Sequence, residues 1–391
     1  MKAEATALAE KVKSAENGKM NRQAAGLNKA VLERKIDLAR ERTINVVNLA
    51  FEKAIAHREN PSKYPLPTSN RSVERAFYNF LEVVPKAKRN KIIDKVNETL
   101  KASATTRSSK YKDIVNVDFR SKTAIAEQVK ALSVPEELRF NEAEGNELLA
   151  RFHQRADKKA LKKREGKFAA GEGAARQSQP QQAAVATKVS FVVDTMTCLN
   201  PDDLMKDEIN LAGFSIDVNG NNVELAPRFV GQFKKNDTLG LGANGTLFTL
   251  DIDPLLASQS FTAGLFIVES DLVSDPEVIR KLGLLFAAIG VAIAVVAVAL
   301  MVVSVFVAPV ISVAMAYFLV SLSFAFQVFS LQLIPLFGDD ISLPITDTLL
   351  VEEKIDVGES FARNLQIGKG FDPQSTFDGK YTLAARWVGE A

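Results

Sequence analysis

Apolar residues recur every three or four positions through the first 165 residues, which is the spacing of one face of an α-helix. The longest such stripe consists of Leu32, Ile36, Ala39, Thr43, Val46, Ala50 and Ala54. Prolines follow at positions 61, 65 and 67, and they predict that this helix ends there. Further amphipathic stretches cover residues 72–84, 86–100 and 122–132. The pattern therefore predicts a helical domain over residues 1–165.

The repeat changes from helical to strand-like after a Gly-, Ala- and Gln-rich stretch at residues 166–187, which predicts a flexible linker. Val189, Phe191 and Val193 alternate as in a strand, and Asn219-Gly220 and Asn244-Gly245 suit tight hairpins. Strand-like runs return after residue 338, in a stretch too short for a separate sandwich. We expect an α+β multidomain chain in which residues 188–281 and 339–391 form one antiparallel, sandwich-like β-domain.

Residues 282–338 form an insertion between these strands, and the 57 residues contain no Asp, Glu, Lys, Arg or His. A helix that spans a bilayer needs about 20 apolar residues, so the segment accommodates two spans, at residues 282–306 and 311–334. Pro309 breaks the segment between them. Charged residues that we interpret as membrane-flanking stand at its ends, and they are Arg280, Lys281, Asp339 and Asp340. The sequence therefore predicts a transmembrane helical hairpin.

The turn of this hairpin, residues 306–312, is itself apolar, which removes the penalty of carrying a charge through the hydrocarbon. The segment resembles the hydrophobic helical hairpin of colicin-type pore-forming toxins in its hydropathy alone. The resemblance implies insertion into a target bilayer, although the pore domain of that family is all helical and lacks a β-domain. The alternative is a pair of buried soluble helices, but a β-domain of this size offers too little surface to enclose them.

Small residues repeat at four-residue spacing along both spans, and this spacing lets helices approach closely in a membrane. With Leu282 at the start of the first span, we expect the membrane-inserting set to include Gly283, Ala287, Gly290, Ala294, Ser312, Ala316, Ser321 and Ala325. The repeat favours a homo-oligomer, while the alternative is that Gly, Ala and Ser are simply common in membrane helices.

Charge is distributed unevenly, because residues 1–180 carry 37 Lys or Arg against 23 Asp or Glu, whereas residues 181–391 carry 12 against 24. The basic half predicts attraction to an anionic bilayer or to a delivery or docking partner. Lys and Arg are interleaved with Glu and no recognition motif is present, so we do not expect nucleic-acid binding.

Acidic residues near predicted strand ends make weak calcium candidates, namely Asp202, Asp203, Asp207 and Asp271. Their arrangement is loosely similar to a C2-like sandwich that binds calcium and lipid, while solvated turns are the alternative. One cysteine and two histidines leave too few ligands for a zinc or copper site, so we expect no metal and no other cofactor. Gly240-Leu-Gly-Ala-Asn-Gly245 matches a dinucleotide-binding pattern, but a strand-like run follows it where that motif requires a helix.

These patterns favour a bacterial or phage-associated pore-forming effector or toxin that inserts into membranes. One alternative is a scaffold component of a virion or injection machine with the hairpin buried in an oligomer, and another is a resident membrane protein with two spans. No catalytic constellation is visible, so we expect no enzyme. The N-terminus lacks the apolar core of a secretory signal, and we therefore expect a soluble or particle-associated protein that later reaches a target membrane.

Overall fold

The computed structural model describes most of the chain. The described residues are 2–139, 144, 184–201, 207–217, 222–254, 259–269, 276–301, 342, 344–351, 354–368 and 379–391. The predicted linker at residues 166–187 lies outside them except for its last four residues.

The first part of the chain is helical, as its sequence predicts. Its helices are α1 (Lys2–Glu59), α2 (Val73–Val83), α3 (Lys86–Leu100), α4 (Ala104–Tyr111) and α5 (Ile125–Lys130), with single 3₁₀ turns at Lys112–Ile114 and Glu136–Leu138. The predicted stripe of α1 is buried, and α2 buries Phe77, Phe80 and Leu81 at helical spacing. The Ser72 side chain accepts a hydrogen bond from the backbone N–H of Arg75 and so caps α2.

Among the described residues after position 183, nine strands and one long helix follow. The strands are β1 (Lys188–Asn200), β2 (Asp207–Asp217), β3 (Asn222–Phe233), β4 (Thr238–Gly240), β5 (Thr246–Asp251), β6 (Gln259–Glu269), β7 (Ile345–Val351), β8 (Ser360–Gly368) and β9 (Lys380–Glu390). The helix α6 (Pro276–Met301) lies between β6 and β7 along the chain.

All strand pairs in both sheets are antiparallel. The first sheet has the order β4-β1-β9-β8, with β5 also paired to β1, and the second has the order β3-β2-β6-β7. Strand β7 pairs with β6 and strand β9 with β1, so strands on both sides of the apolar segment belong to the same sheets. The expected α+β class with antiparallel sheets is confirmed.

The two sheets bury a common hydrophobic core between their inner faces. Phe233 of the second sheet meets Tyr381 of the first edge to face, with ring centroids 5.8 Å apart. Trp387, the single tryptophan of the chain, is fully buried in this core, and its indole N–H donates to Asp347 across the sheets at 2.8 Å. The sandwich therefore has its own hydrophobic core, and the fluorescence of Trp387 reports on that core.

A second core lies on the opposite face of the second sheet, where α6 packs. This outer face presents apolar side chains from β2 and β6 toward the helix, and they are Ala212, Phe214, Ile216, Phe266 and Val268. The same core continues into the helical domain through α2 and α5, which both contact α6. The layers therefore run from the first sheet through the second sheet and α6 to the helical domain.

Candidate functional site

Helix α6 contains the described start of the uncharged segment, residues 282–301, and its residues 277–296 are long and apolar enough to cross a bilayer. By length and composition it is the one such helix in the described ranges, so the predicted two-helix hairpin is not supported, and its second span at residues 311–334 lies outside the described residues. Of its most apolar stretch, 72 % lies buried inside the protein. The sequence expectation concerned two helices and the β-domain alone, whereas this one helix is covered by the β-domain and the helical domain together.

The sheet side of α6 is held by close packing against β2 and β6. Phe286 lies 5.8 Å from the Phe266 ring, edge to face, and 6.5 Å from the Phe214 ring, centroid to centroid. A Cβ atom added at Gly283 would lie 3.5 Å from the carbonyl oxygen of Gly213, so the helix rests directly on the strand backbone. Gly283 thus serves contact with the sheet of its own chain.

The opposite side of α6 is covered by the helical domain. Phe77 and Phe80 of α2 and Ile125 and Val129 of α5 are fully or almost fully buried in the core that α6 shares. The predicted small-residue pairs of this span, Gly283 with Ala287 and Gly290 with Ala294, are all buried. In the described state they pack inside one chain and do not form an exposed surface for oligomerisation.

The predicted membrane-flanking residues at the start of α6 form a local ion-pair cluster. The Arg280 guanidinium donates from Nε and Nη2 to the two oxygens of Glu277 at 2.6 and 2.5 Å, and Lys281 Nζ lies 3.6 Å from Glu277. Hydrogen bonds from Arg280 lower the pKa of Glu277. Arg280 also lies 3.9 Å from Glu224 of β3, whose pKa is raised by burial. The cluster therefore attaches the first turn of α6 to the edge of the second sheet.

Asp207 is the one weak calcium candidate among the described residues. It is buried at the first position of β2, and its carboxylate accepts a hydrogen bond from the Tyr381 hydroxyl. Asp202, Asp203 and Asp271 lie outside the described residues. Within the described ranges, no three His, Cys, Asp or Glu side chains converge as metal ligands.

The rest of the predicted site falls outside the described residues. These positions are Pro309, Ser312, Ala316, Ser321, Ala325, Asp339 and Asp340. The dinucleotide-like run is placed, and its last four residues form a 3₁₀ turn that leads directly into β5. No helix N-terminus follows to hold a pyrophosphate. The flanking strands β4 and β5 both pair with β1 and not with each other, so the run is a turn but not the hairpin that Asn244-Gly245 suggests.

Sequence reasoning missed the cover that the helical domain gives to α6. The available signal was the apolar face of α2, which repeats at Val73, Phe77, Phe80 and Leu81. Such a wide face on an eleven-residue helix indicates that it packs against more than one neighbour.

No family model, no curated protein and no solved structure matches this chain.

Proposed function

We propose that this protein is a membrane-inserting, pore-forming effector that keeps the first helix of its apolar segment sheathed between two domains until it meets a target bilayer. The observation that carries the proposal is the position of α6. A helix with the length and apolarity of a membrane span lies between the helical domain and the sandwich, and not inside either one. Separation of the two domains would uncover it without unfolding the sandwich core, which lies on the other face of the second sheet.

The remainder of the uncharged segment supports the same function. From Leu282 the chain continues for 57 residues without Asp, Glu, Lys, Arg or His, which is nearly three times what one span requires. The basic helical half supports approach to an anionic bilayer, and α3 exposes Lys86, Lys91 and Lys95. Oligomerisation in the membrane and a delivery partner for the helical domain belong to this proposal.

A scaffold function is the second candidate, and a specific observation favours it. Helix α6 contributes to one continuous core that joins the helical domain to the second sheet. A helix in that position also serves as a permanent structural element of an assembly. The two functions differ in whether α6 ever leaves its sheath, which can be measured directly.

A fluorescent label on α6 tests the proposal. Val291 is half-buried near the middle of α6, and Val185 is exposed at the start of the sandwich. Each is replaced by Cys in a separate variant and labelled with an environment-sensitive dye. The native Cys198 is buried and its pKa is raised to about 11 by burial, so it does not compete for the label.

Vesicles containing anionic lipid and a nitroxide-labelled lipid are then added. We expect the dye at residue 291 to shift to the blue and to be quenched, the dye at residue 185 to remain in water, and an entrapped dye to leak. Intact protein with no quenching at residue 291 would reject membrane insertion and favour the scaffold. Labelling is preferable to a charge at Ala294, because that residue is only 9 % exposed and an unpaired carboxylate there would also damage the soluble fold.

A further inference from the structure

We call residues 118–130 the strap. This segment lies on the surface of the helical domain, and the side chain of Gln128 hydrogen-bonds to backbone groups within it. Its Oε1 accepts from the backbone N–H of Asp118 at 2.9 Å, and its Nε2 donates to the carbonyl oxygens of Asp118 and Thr123 at 3.1 and 2.9 Å. These three hydrogen bonds join the first part of the strap to α5.

The strap covers α6 from the helical-domain side. Its helical part is α5, which contacts both α1 and α6. Ile125 and Val129 are buried in the core that contains α6. Any path that takes α6 out of its sheath toward the helical domain has to displace these two side chains.

Two fully buried charged side chains fasten the strap to the rest of the helical domain. Lys53 of α1 donates from Nζ to the carbonyl oxygens of Ser121 and Thr123 at 2.8 and 2.9 Å. Glu74 of α2 accepts from the backbone N–H of Ile125 at 2.7 Å. Ala124, the residue that caps α5, has no side-chain acceptor, so Glu74 supplies one from a different helix.

Both charges are costly to keep in the interior. Burial raises the pKa of Glu74 and lowers the pKa of Lys53, because it disfavours the charged form of each group. The opposite charges of Lys53 and Glu74 partly offset this cost, and both side chains also hydrogen-bond to the backbone of the strap. The contacts with the strap therefore explain why Lys53 and Glu74 are buried. Loss of either contact leaves a buried polar group without its partner.

We propose that the strap is a gate over part of the sheath, and that its release from Lys53 and Glu74 uncovers the part of α6 that lies beneath α5, while α2 stays in contact with α6. This inference rests on the proposed function for its biological meaning, but the gating itself is a property of the protein in solution. This part of α6 then becomes accessible through a local opening, while the sandwich core stays closed.

Hydrogen exchange of the full-length protein tests the gate. In Glu74→Ala the Ile125 N–H loses its acceptor, and we expect exchange to rise about tenfold in both the strap and α6, with β9 unchanged. Glu74→Gln keeps an oxygen that accepts the same hydrogen bond and is expected to exchange like wild type. Glu82→Ala is the matched control, because Glu82 lies on the same helix with its side chain 46 % exposed.

The gate is refuted if α6 keeps wild-type protection while the strap exchanges faster, or if β9 rises with α6. If Glu74→Ala does not fold, hydrogen exchange is compared in Gln128→Ala instead. This substitution removes the hydrogen bonds within the strap and leaves both buried charges in place. Leakage from anionic vesicles is measured on the same variants. If hydrogen exchange of α6 is faster in the variants but neither wild type nor variants cause vesicle leakage, the gate is supported and pore formation is rejected.

Discussion

Replacing Phe286 by Ala tests whether α6 is a core element of the soluble protein. Phe286 is fully buried on α6, and its ring contacts those of Phe214 and Phe266 on the outer face of the second sheet. If α6 stayed in a bilayer, or lay loosely on the sheet, truncation of this side chain would hardly change the stability of the protein in water.

The expected loss follows from the burial of the ring. Truncation of a buried Phe to Ala lowers the free energy of unfolding by about 3–5 kcal/mol, because the transfer free energy is lost and a cavity remains. Val291→Ala is the matched control on the same helix. Val291 is half-buried, so removal of its methyl groups should cost about 1 kcal/mol or less.

Denaturant unfolding is followed by two probes, the fluorescence of the buried Trp387 and the far-ultraviolet circular dichroism of the helices. Phe286 joins the helical core to the second sheet, so we expect both transitions to move to lower denaturant in Phe286→Ala. A loss below about 1 kcal/mol, or a dichroism change that leaves the Trp387 transition in place, would refute the position of α6 in the core.

Three further outcomes follow from the buried polar groups. The pKa of Glu74 is raised in the folded state, so its contribution to stability is present at low pH and is lost as the pH rises through that pKa. The stability of wild type relative to Glu74→Gln should therefore fall as the pH rises, which urea titrations over a series of pH values measure. The Cys198 thiol, with its pKa raised to about 11, should react with a disulfide reagent at neutral pH at least about a hundredfold more slowly than free cysteine, until the protein is unfolded. Tyr111→Phe removes the hydroxyl that donates to the buried Glu52 carboxylate, and thermal or chemical unfolding should show a loss of about 1–3 kcal/mol.

Local periodicity predicted the classes of the elements because each class has its own repeat. The stripe on α1 and the alternation of Val189, Phe191 and Val193 both depend on near neighbours in the chain, and the structure places them in a helix and a strand. The glycine-rich run was separated from a nucleotide site by the strand-like residues that follow it.

The environment of α6 could not be predicted in the same way, because hydropathy measures composition and a protein core is as apolar as a bilayer. Its cover comes from α2, about two hundred residues earlier in the chain, and the apolar face of α2 does not identify the element that it contacts. The burial of Asp207 is a second example. Strand β2 begins at Asp207, and alternation puts its side chain on the same inward face as Ile209 and Leu211.

Departure of α6 would uncover an apolar surface on the sandwich, and this limits how insertion proceeds. Four of the five outer-face side chains of β2 and β6 are large, and loss of their cover would cost about 1.5–3 kcal/mol each, or on the order of 10 kcal/mol together. An apolar span gains about 0.3–0.6 kcal/mol per favourable residue on insertion, so twenty favourable residues would supply at most about 12 kcal/mol. The two contributions nearly cancel. On the proposed mechanism α6 alone therefore does not drive insertion, and the exposed sheet face has to be covered again, either by the helical domain closing onto it or by a second copy of the chain. Oligomerisation coupled to release would supply that cover at the moment when α6 leaves.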